Sequence, residues 1–211
     1  MMMKSKIIGD YLDEMFPDPK CELNYESDYQ LLLAIMLSAQ TTDKRVNQCT
    51  SILFDKYKTL SDLKDAKIQD LEAIIRPLGS FHKKSEYLKK ISTILVENYN
   101  GKVPVERDIL EQFPGVGRKT VNVFFSEYYS LPAIAVDTHV DRVSKRLGFA
   151  KKDDSVKEVE EKLMKKIPKN LWAKRHLQLV LFGRYHCKAV KPMCSECKLK
   201  DICKEKKKDL W

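Results

Sequence analysis

The sequence predicts an all-α fold, and three observations support this. Most of the 211-residue chain carries apolar residues at helical spacing. No segment shows the alternation of apolar and polar residues that marks a half-buried strand. Only seven glycines and eight prolines occur, so long flexible linkers are not expected. The chain should therefore form one large helical domain or two small interlocked ones.

The second of the first three predicted helices is strongly apolar. Residues 5–16 read as an amphipathic opening helix. Residues 28–38 are apolar on nearly all sides, which predicts a central, buried helix. The short polar side chains at 41–43 can cap a third helix, which should run to about residue 57.

The later helices are recognised from apolar faces and from the residues that end them. Apolar faces within residues 68–78 and 87–95 predict two helices that end at Gly79 and Gly101, since glycine often ends a helix. Further helices are expected at residues 108–113, 118–129, 138–147 (ended by Gly148), 155–167 and 170–185.

The composition indicates a nucleic-acid partner. Lys and Arg number 39 against 30 Asp and Glu, which gives a formal charge of +9. A basic surface attracts a phosphate backbone without regard to base sequence. The longest apolar run, residues 31–37, is too short to span a bilayer, and the first ten residues do not resemble a signal peptide. We therefore expect a cytoplasmic, soluble monomer with no membrane association and with reduced or metal-bound cysteines.

The segment from Leu110 to Arg142 contains a tight hairpin between two helices. Pro114 should end the first helix, and Gly115-Val116-Gly117 can turn tightly because glycine tolerates positive φ. Backbone N–H groups at the start of the second helix can bind a phosphate oxygen. The plainer alternative is an ordinary αα-hairpin with a solvated Lys119, followed by Asp137 as a helix N-cap.

Four cysteines near the C-terminus form a compact loop with the spacing Cys-x6-Cys-x2-Cys-x5-Cys. They are Cys187, Cys194, Cys197 and Cys203. Thiolates this close in sequence suit a [4Fe–4S] cluster better than zinc, whose ribbon sites usually separate two Cys-x2-Cys pairs. Zinc and free thiols remain the alternatives. Lysines surround the loop, at positions 188, 191, 198, 200, 204 and 206–208, and could contact phosphates.

Three motifs resemble the endonuclease III family of helix-hairpin-helix DNA glycosylases. They are Leu37-Ser38-Ala39-Gln40-Thr41-Thr42-Asp43, Pro114-Gly115-Val116-Gly117-Arg118-Lys119-Thr120 and Val136-Asp137-Thr138-His139-Val140. The resemblance covers essentially the whole chain, and the cysteine spacing also matches. It implies two lobes: a six-helix barrel at 21–131 that contains the hairpin, and a cluster domain made of 1–20 with 132–211.

The resemblance also implies roles for individual residues. Lys119 matches the nucleophile, and Asp137, 18 residues later, matches the catalytic carboxylate. Gln40 matches the side chain that fills the gap left by a flipped nucleotide, and the four cysteines match the cluster ligands. The remaining expected DNA-binding residues are Gly115, Val116, Gly117, Arg118, Thr120 and His139.

The function implied is a bifunctional DNA glycosylase and abasic-site (AP) lyase of base excision repair. It would bind double-stranded DNA that contains damaged bases or abasic sites, excise oxidised pyrimidines and cut the strand 3′ to the abasic site by β-elimination. One alternative is a monofunctional glycosylase for adenine or another base, although adenine glycosylases usually lack the hairpin lysine. A non-catalytic DNA-binding scaffold with a structural cluster is the other.

The chain departs from the family pattern at the residue after Gly79. The family usually has an apolar wedge there, and this chain has Ser80. Leu78 or Phe81 is expected to take over that contact.

Overall fold

The computed structural model describes residues 2–207, and that range is helical with no strand, as the sequence predicted. The α-helices are α1 (Met2–Met15), α2 (Asp28–Leu37), α3 (Asp43–Lys56), α4 (Leu60–Asp65), α5 (Ile68–Ile75), α6 (Phe81–Asn98), α7 (Arg107–Leu110), α8 (Arg118–Tyr128), α9 (Thr138–Leu147), α10 (Val156–Lys166) and α11 (Trp172–Tyr185). Short 3-10 helices occupy Arg76–Leu78, Lys169–Leu171 and Cys194–Glu196. Over the same residues, no helix combines the length and apolar character that a membrane crossing requires.

The chain divides into two compact units. One is the continuous segment Glu22–Tyr128, and the other joins the N-terminal residues through Cys21 to the residues from Tyr129 onward. The lobe boundaries inferred from the resemblance, 21–131 and 1–20 with 132–211, remain a proposal. The last four residues of that second lobe, 208–211, lie outside the described range.

Helix α2 forms the centre of the unit Glu22–Tyr128. All seven residues from Leu31 to Leu37 are buried, as the apolar sequence predicted. Ser27 caps the helix by accepting a hydrogen bond from the backbone N–H of Gln30, and α8 packs against it. The residue that begins α2, Asp28, accepts a hydrogen bond from the Val103 N–H at 3.0 Å. Helix α2 is therefore fixed at its start by polar contacts and along its length by packing.

Two helices in this unit differ from the prediction. Helix α4 is not among the predicted elements, although Thr59 and Asp62 form a capping box in which each side chain accepts from the other residue's N–H, at 3.1 and 2.9 Å. Helix α7 ends at Leu110 instead of residue 113. It stops early because the chain tightens there, and the Phe113 N–H donates to the Leu110 carbonyl at 3.0 Å.

In the other unit, α1 and α11 pack together through a polar network. The Gln178 side-chain amide donates to the carbonyls of Leu12 at 3.1 Å and Phe16 at 2.8 Å, at the C-terminal end of α1. The guanidinium of Arg175 donates to Asp13 at 2.7 Å. The Leu12 carbonyl also accepts from the Phe16 N–H at 2.9 Å, so the network adds a second bond there and pairs the Phe16 carbonyl just past the helix end.

Helix α9, in the same unit, matches its predicted range of 138–147. It ends at Gly148, whose φ of 78° is the left-handed conformation expected for a terminating glycine. Val140, Val143 and Leu147 place its apolar face in the core.

Candidate functional site

The hairpin between α7 and α8 turns at Pro114-Gly115-Val116-Gly117. Gly115 has a φ of 75°, and a Cβ there would lie only 2.6 Å from Cδ2 of Tyr87, so both backbone and packing require glycine. Gly117 does not adopt positive φ, and a Cβ would meet nothing within 4 Å. Only Gly115 therefore adopts the positive φ that the sequence predicted for the turn. Gly117 leaves its backbone uncovered instead.

Val116 shapes the turn from inside. Its side chain is buried, and its N–H donates to the Phe113 carbonyl at 3.0 Å. The first backbone bond of the following helix joins the Val121 N–H to the Gly117 carbonyl at 3.1 Å. The N–H groups of the intervening turn therefore precede the helical ladder and point towards the helix N-terminus. Arg118, which is exposed, and Thr120, which is half-buried, belong to that turn.

Lys119 is the second residue of α8, and its side chain is exposed. No carboxylate in the described residues of its own unit forms an ion pair with it. Both features leave the amine accessible to a ligand that approaches the helix N-terminus.

Arg107 is a further residue at the hairpin that sequence reasoning missed. It donates from α7 to the Asn122 side chain on α8 at 2.7 Å, and its guanidinium lies 5.5 Å from the Phe125 ring centroid. These contacts brace the two helices on either side of the turn. Its i,i+4 spacing to Glu111 was visible in the sequence, but the contact with Asn122 depends on how the hairpin folds.

Asp137 is the N-cap of α9, in the other unit. Its Oδ1 accepts hydrogen bonds from the N–H groups of His139 at 2.9 Å and Val140 at 2.8 Å. The capping role considered as the plainer alternative is therefore correct. Both of these hydrogen bonds go to Oδ1. Half-buried His139 lies two residues after Asp137, with its Nδ1 3.3 Å from Nη2 of Arg142.

Three exposed non-glycine residues in the unit Glu22–Tyr128 adopt the left-handed backbone conformation, namely Gln40, Ser80 and Asn100. Gln40 follows α2 with a φ of 59°, and Ser80 precedes α6 with a φ of 48°. Left-handed φ is uncommon outside glycine and costs backbone energy. Such residues are often found at functional sites, which fits the expected contact of Gln40 with a ligand.

The four C-terminal cysteines line one cavity, together with residues that include Arg146, Met193 and Glu205. Burial, reinforced by the neighbouring cysteines, raises the pKa of the Cys197 thiol to about 11. Four thiolates could therefore coexist here only if a cation offsets their charge. Within residues 2–207, no three metal-binding side chains converge closely enough to hold a single ion.

Hydrogen bonds to sulfur complete the surroundings of these cysteines. Nη1 of Arg146 donates to Sγ of Cys187 at 3.5 Å, and the Glu205 N–H donates to Sγ of Cys203 at 3.4 Å. Donors of this kind stabilise metal-bound thiolates. Of the lysines expected around the loop, Lys208 lies outside the described residues.

Comparison with known proteins identifies the family. The profile for the HhH-GPD superfamily base excision DNA repair protein matches residues 33–169. Endonuclease III of Bacillus subtilis is 47% identical over 199 residues, which cover 94% of this chain and 91% of that protein. Endonuclease III of Escherichia coli K12 is 42% identical over 197 residues, 93% of each chain. The chain belongs to the endonuclease III family.

A solved structure of the endonuclease III family shares the whole fold. It is described as a trapped endonuclease III–DNA covalent intermediate in an estranged-adenine complex. It superimposes with a TM-score of 0.94 at 47% identity and covers 100% of this chain and 99% of that one.

The structure narrows the choice of an apolar side chain that could replace the family's usual wedge residue at Ser80. Leu78 is only 3% exposed, so the expectation that it could act as a wedge is wrong. Phe81 is half-buried, with its ring 4.1 Å from the His82 ring and 6.0 Å from the Arg76 guanidinium. Of the two proposed substitutes, only Phe81 therefore has a partly exposed side chain. Ser80 itself is exposed at the tip of the turn.

Proposed function

We propose that this protein is a bifunctional DNA glycosylase and AP lyase that removes oxidised pyrimidines from double-stranded DNA during base excision repair. The observation that carries the proposal is Lys119, an exposed amine in the first turn of α8 at a glycine hairpin, in an endonuclease III family chain. The protein acts as a monomer in the cytoplasm.

The hairpin binds the DNA backbone in this proposal. N–H groups at the start of α8 and the open backbone at Gly117 receive a phosphate oxygen, and Arg118 and Thr120 flank it. Such contacts set the register of the protein on the duplex and carry no base information. They hold the strand while the damaged nucleotide leaves the stack, since the sugar carbon C1′ is inaccessible inside a duplex. Gln40 fills the gap that the nucleotide leaves.

Chemistry begins when the neutral amine of Lys119 attacks C1′. The C–N bond to the lysine forms as the glycosidic bond breaks, and the base departs with the bonding electron pair and gains a proton. Asp137 stabilises the positive charge that develops on the sugar. The cap geometry supports this role because Oδ1 is held by two N–H groups, which fixes the orientation of the carboxylate.

The lyase step follows from the imine that Lys119 and the opened sugar form. The cationic imine acidifies the hydrogens at C2′, and loss of one of them expels the 3′ phosphate by β-elimination. The strand is cut 3′ to the lesion, and hydrolysis of the imine then frees Lys119. No oxidant or reductant takes part, so the reaction requires no redox cofactor.

The four cysteines are proposed to hold a [4Fe–4S] cluster. Their common cavity and the N–H donors on Cys187 and Cys203 support this proposal. When bound, the cluster supplies structural order to the loop and takes no part in the chemistry.

Gly117→Ala tests the phosphate contact. We expect the free protein to lose at most about 0.5 kcal/mol of stability, because an added Cβ meets nothing. Binding to every duplex should weaken by about tenfold, whether or not the duplex is damaged. Fluorescence anisotropy at fixed salt measures this. Gly115→Ala is the contrasting variant, since its Cβ collides with Tyr87 and should destabilise the fold itself. Unchanged affinity in Gly117→Ala would leave the hairpin without a phosphate contact.

A panel of duplexes, each carrying one defined lesion, tests the whole proposal. Duplexes with ring-saturated or oxidised pyrimidines should be converted to strands cut 3′ to the lesion, and an abasic-site duplex should be cut without base release. Excision of a base without strand cutting would indicate the monofunctional alternative. Binding without any excision or cutting across the panel would indicate the scaffold.

A further inference from the structure

Lys84 on α6 is a buried lysine with two backbone acceptors. Its side chain is 5% exposed, and its ammonium donates to the carbonyls of Ala39 at 2.8 Å and Leu78 at 2.9 Å. Burial lowers the pKa of Lys84, and no carboxylate in its own unit pairs with it in the described residues. The two carbonyls are therefore the groups that compensate for the loss of water around the ammonium.

These carbonyls lie at the bases of two of the strained turns, those of Gln40 and Ser80. Ala39 immediately precedes Gln40, just past the end of α2, and Leu78 ends the 3-10 helix two residues before Ser80. Positive charge is favoured at a helix C-terminus, which explains why one ammonium suits both places. Since a single side chain bonds to both, movement of either turn would cost a hydrogen bond in a buried setting.

We propose that Lys84 is a positioning residue that holds the Gln40 turn and the Ser80 turn at a fixed separation, so that both tips meet a lesion-containing duplex in register. The inference rests on the proposed role of Gln40 in filling the gap of a flipped nucleotide. Lys84 does not touch DNA in this account, and its effect is transmitted through the two backbone turns.

The same helix provides a matched control. The Lys89 ammonium, also on α6, donates to the Ala66 carbonyl at 2.6 Å in the connection between α4 and α5, which is neither of the two turns. Lys84→Met and Lys89→Met each remove a lysine-to-carbonyl contact from α6 and keep an unbranched side chain. They differ in whether the Gln40 turn loses its anchor.

A double-mutant cycle with Gln40→Ala separates positioning from general stabilisation. Binding to a duplex with an uncleavable tetrahydrofuran abasic site is measured for Gln40→Ala in the wild-type, Lys84→Met and Lys89→Met backgrounds. We expect a loss of about tenfold in the wild-type and Lys89→Met backgrounds and of less than about twofold in Lys84→Met, because the misplaced turn no longer inserts Gln40. Affinity for undamaged duplex should be nearly the same in Lys84→Met as in the wild type.

Each remaining outcome overturns the inference. If Gln40→Ala lowers the affinity for the tetrahydrofuran duplex equally in all three backgrounds, Lys84 has only a structural role. No loss on Gln40→Ala in the wild type would remove the role of Gln40 and this inference with it, while lyase activity on an abasic duplex separately decides the proposed chemistry. Thermal melting verifies folding, and Lys84→Leu, which likewise has no N–H donor, replaces Lys84→Met in the cycle if that variant does not fold.

Discussion

Lys119→Gln should lose strand cleavage by at least about a thousandfold, because glutamine has no nucleophilic amine to form the imine. Its duplex affinity should remain within about threefold of the wild type, since the side chain stays long and polar and the phosphate contact is to backbone. The fold should not change, because Lys119 is exposed and no ion pair joins it to another described residue of its own unit.

Borohydride trapping provides the measurement for Lys119. Reduction of the imine links protein to DNA covalently, so wild-type protein incubated with abasic-site duplex should give a slow-migrating complex whose peptide map identifies Lys119. Lys102→Gln, which removes another exposed lysine from the same unit, should trap normally. A cross-link in Lys119→Gln would assign the nucleophile to a different amine.

The effect of Asp137 can be separated from its structural role. Asparagine caps a helix about as well as aspartate, so Asp137→Asn should preserve the start of α9 and remove only the charge. Base release should slow strongly in this variant, whereas cutting of a preformed abasic site should suffer less, since no base has to leave.

Cys194→Ser should remove the iron–sulfur cluster. Wild-type protein should be yellow-brown with about four iron per chain, and the variant should be colourless. The melting temperature should fall by at least about 5 °C, because bound metal adds to folding free energy. Lyase activity should fall with the stability of the loop.

Cys49→Ala serves as the control for cluster loss. Cys49 is a buried thiol of the other unit, so this variant should keep its iron and colour. Metal analysis by mass spectrometry and absorbance near 400 nm (roughly the range of iron–sulfur charge transfer) decide the result. A colourless, folded wild-type protein with one zinc per chain would contradict the cluster proposal without affecting that for Lys119.

Local sequence signals were sufficient for many elements of this fold. The apolar run of α2 and the terminating Gly148 of α9 act within a few residues of the chain, and both behave as predicted. The hairpin was recognisable because Pro114 restricts the residue before it and Gly115 permits the positive φ that the turn needs. The six-residue helix α4 was missed because it is too short for a periodic apolar face, although its capping box was a readable signal.

Contacts between distant residues were not predictable in the same way. Lys84 bonds to Ala39, which lies 45 residues earlier, and a lysine in an amphipathic helix is usually solvated. The sequence also allowed Leu78 as the apolar side chain that contacts DNA, and only the structure shows that this side chain is buried. These outcomes depend on how helices pack, and packing is not encoded by local spacing.

The pairing of α1 with α11 has a consequence for synthesis on the ribosome. The helix that emerges first has its partners, Arg175 and Gln178, more than 160 residues later in the chain. The continuous segment Glu22–Tyr128 can fold as soon as it is complete, because it forms a compact unit through contacts within one uninterrupted stretch of chain. The first helix must then wait, with its apolar face uncovered, until nearly the whole chain has been translated. Truncated chains that end before residue 175 should therefore expose that face and bind chaperones more strongly than the full-length protein.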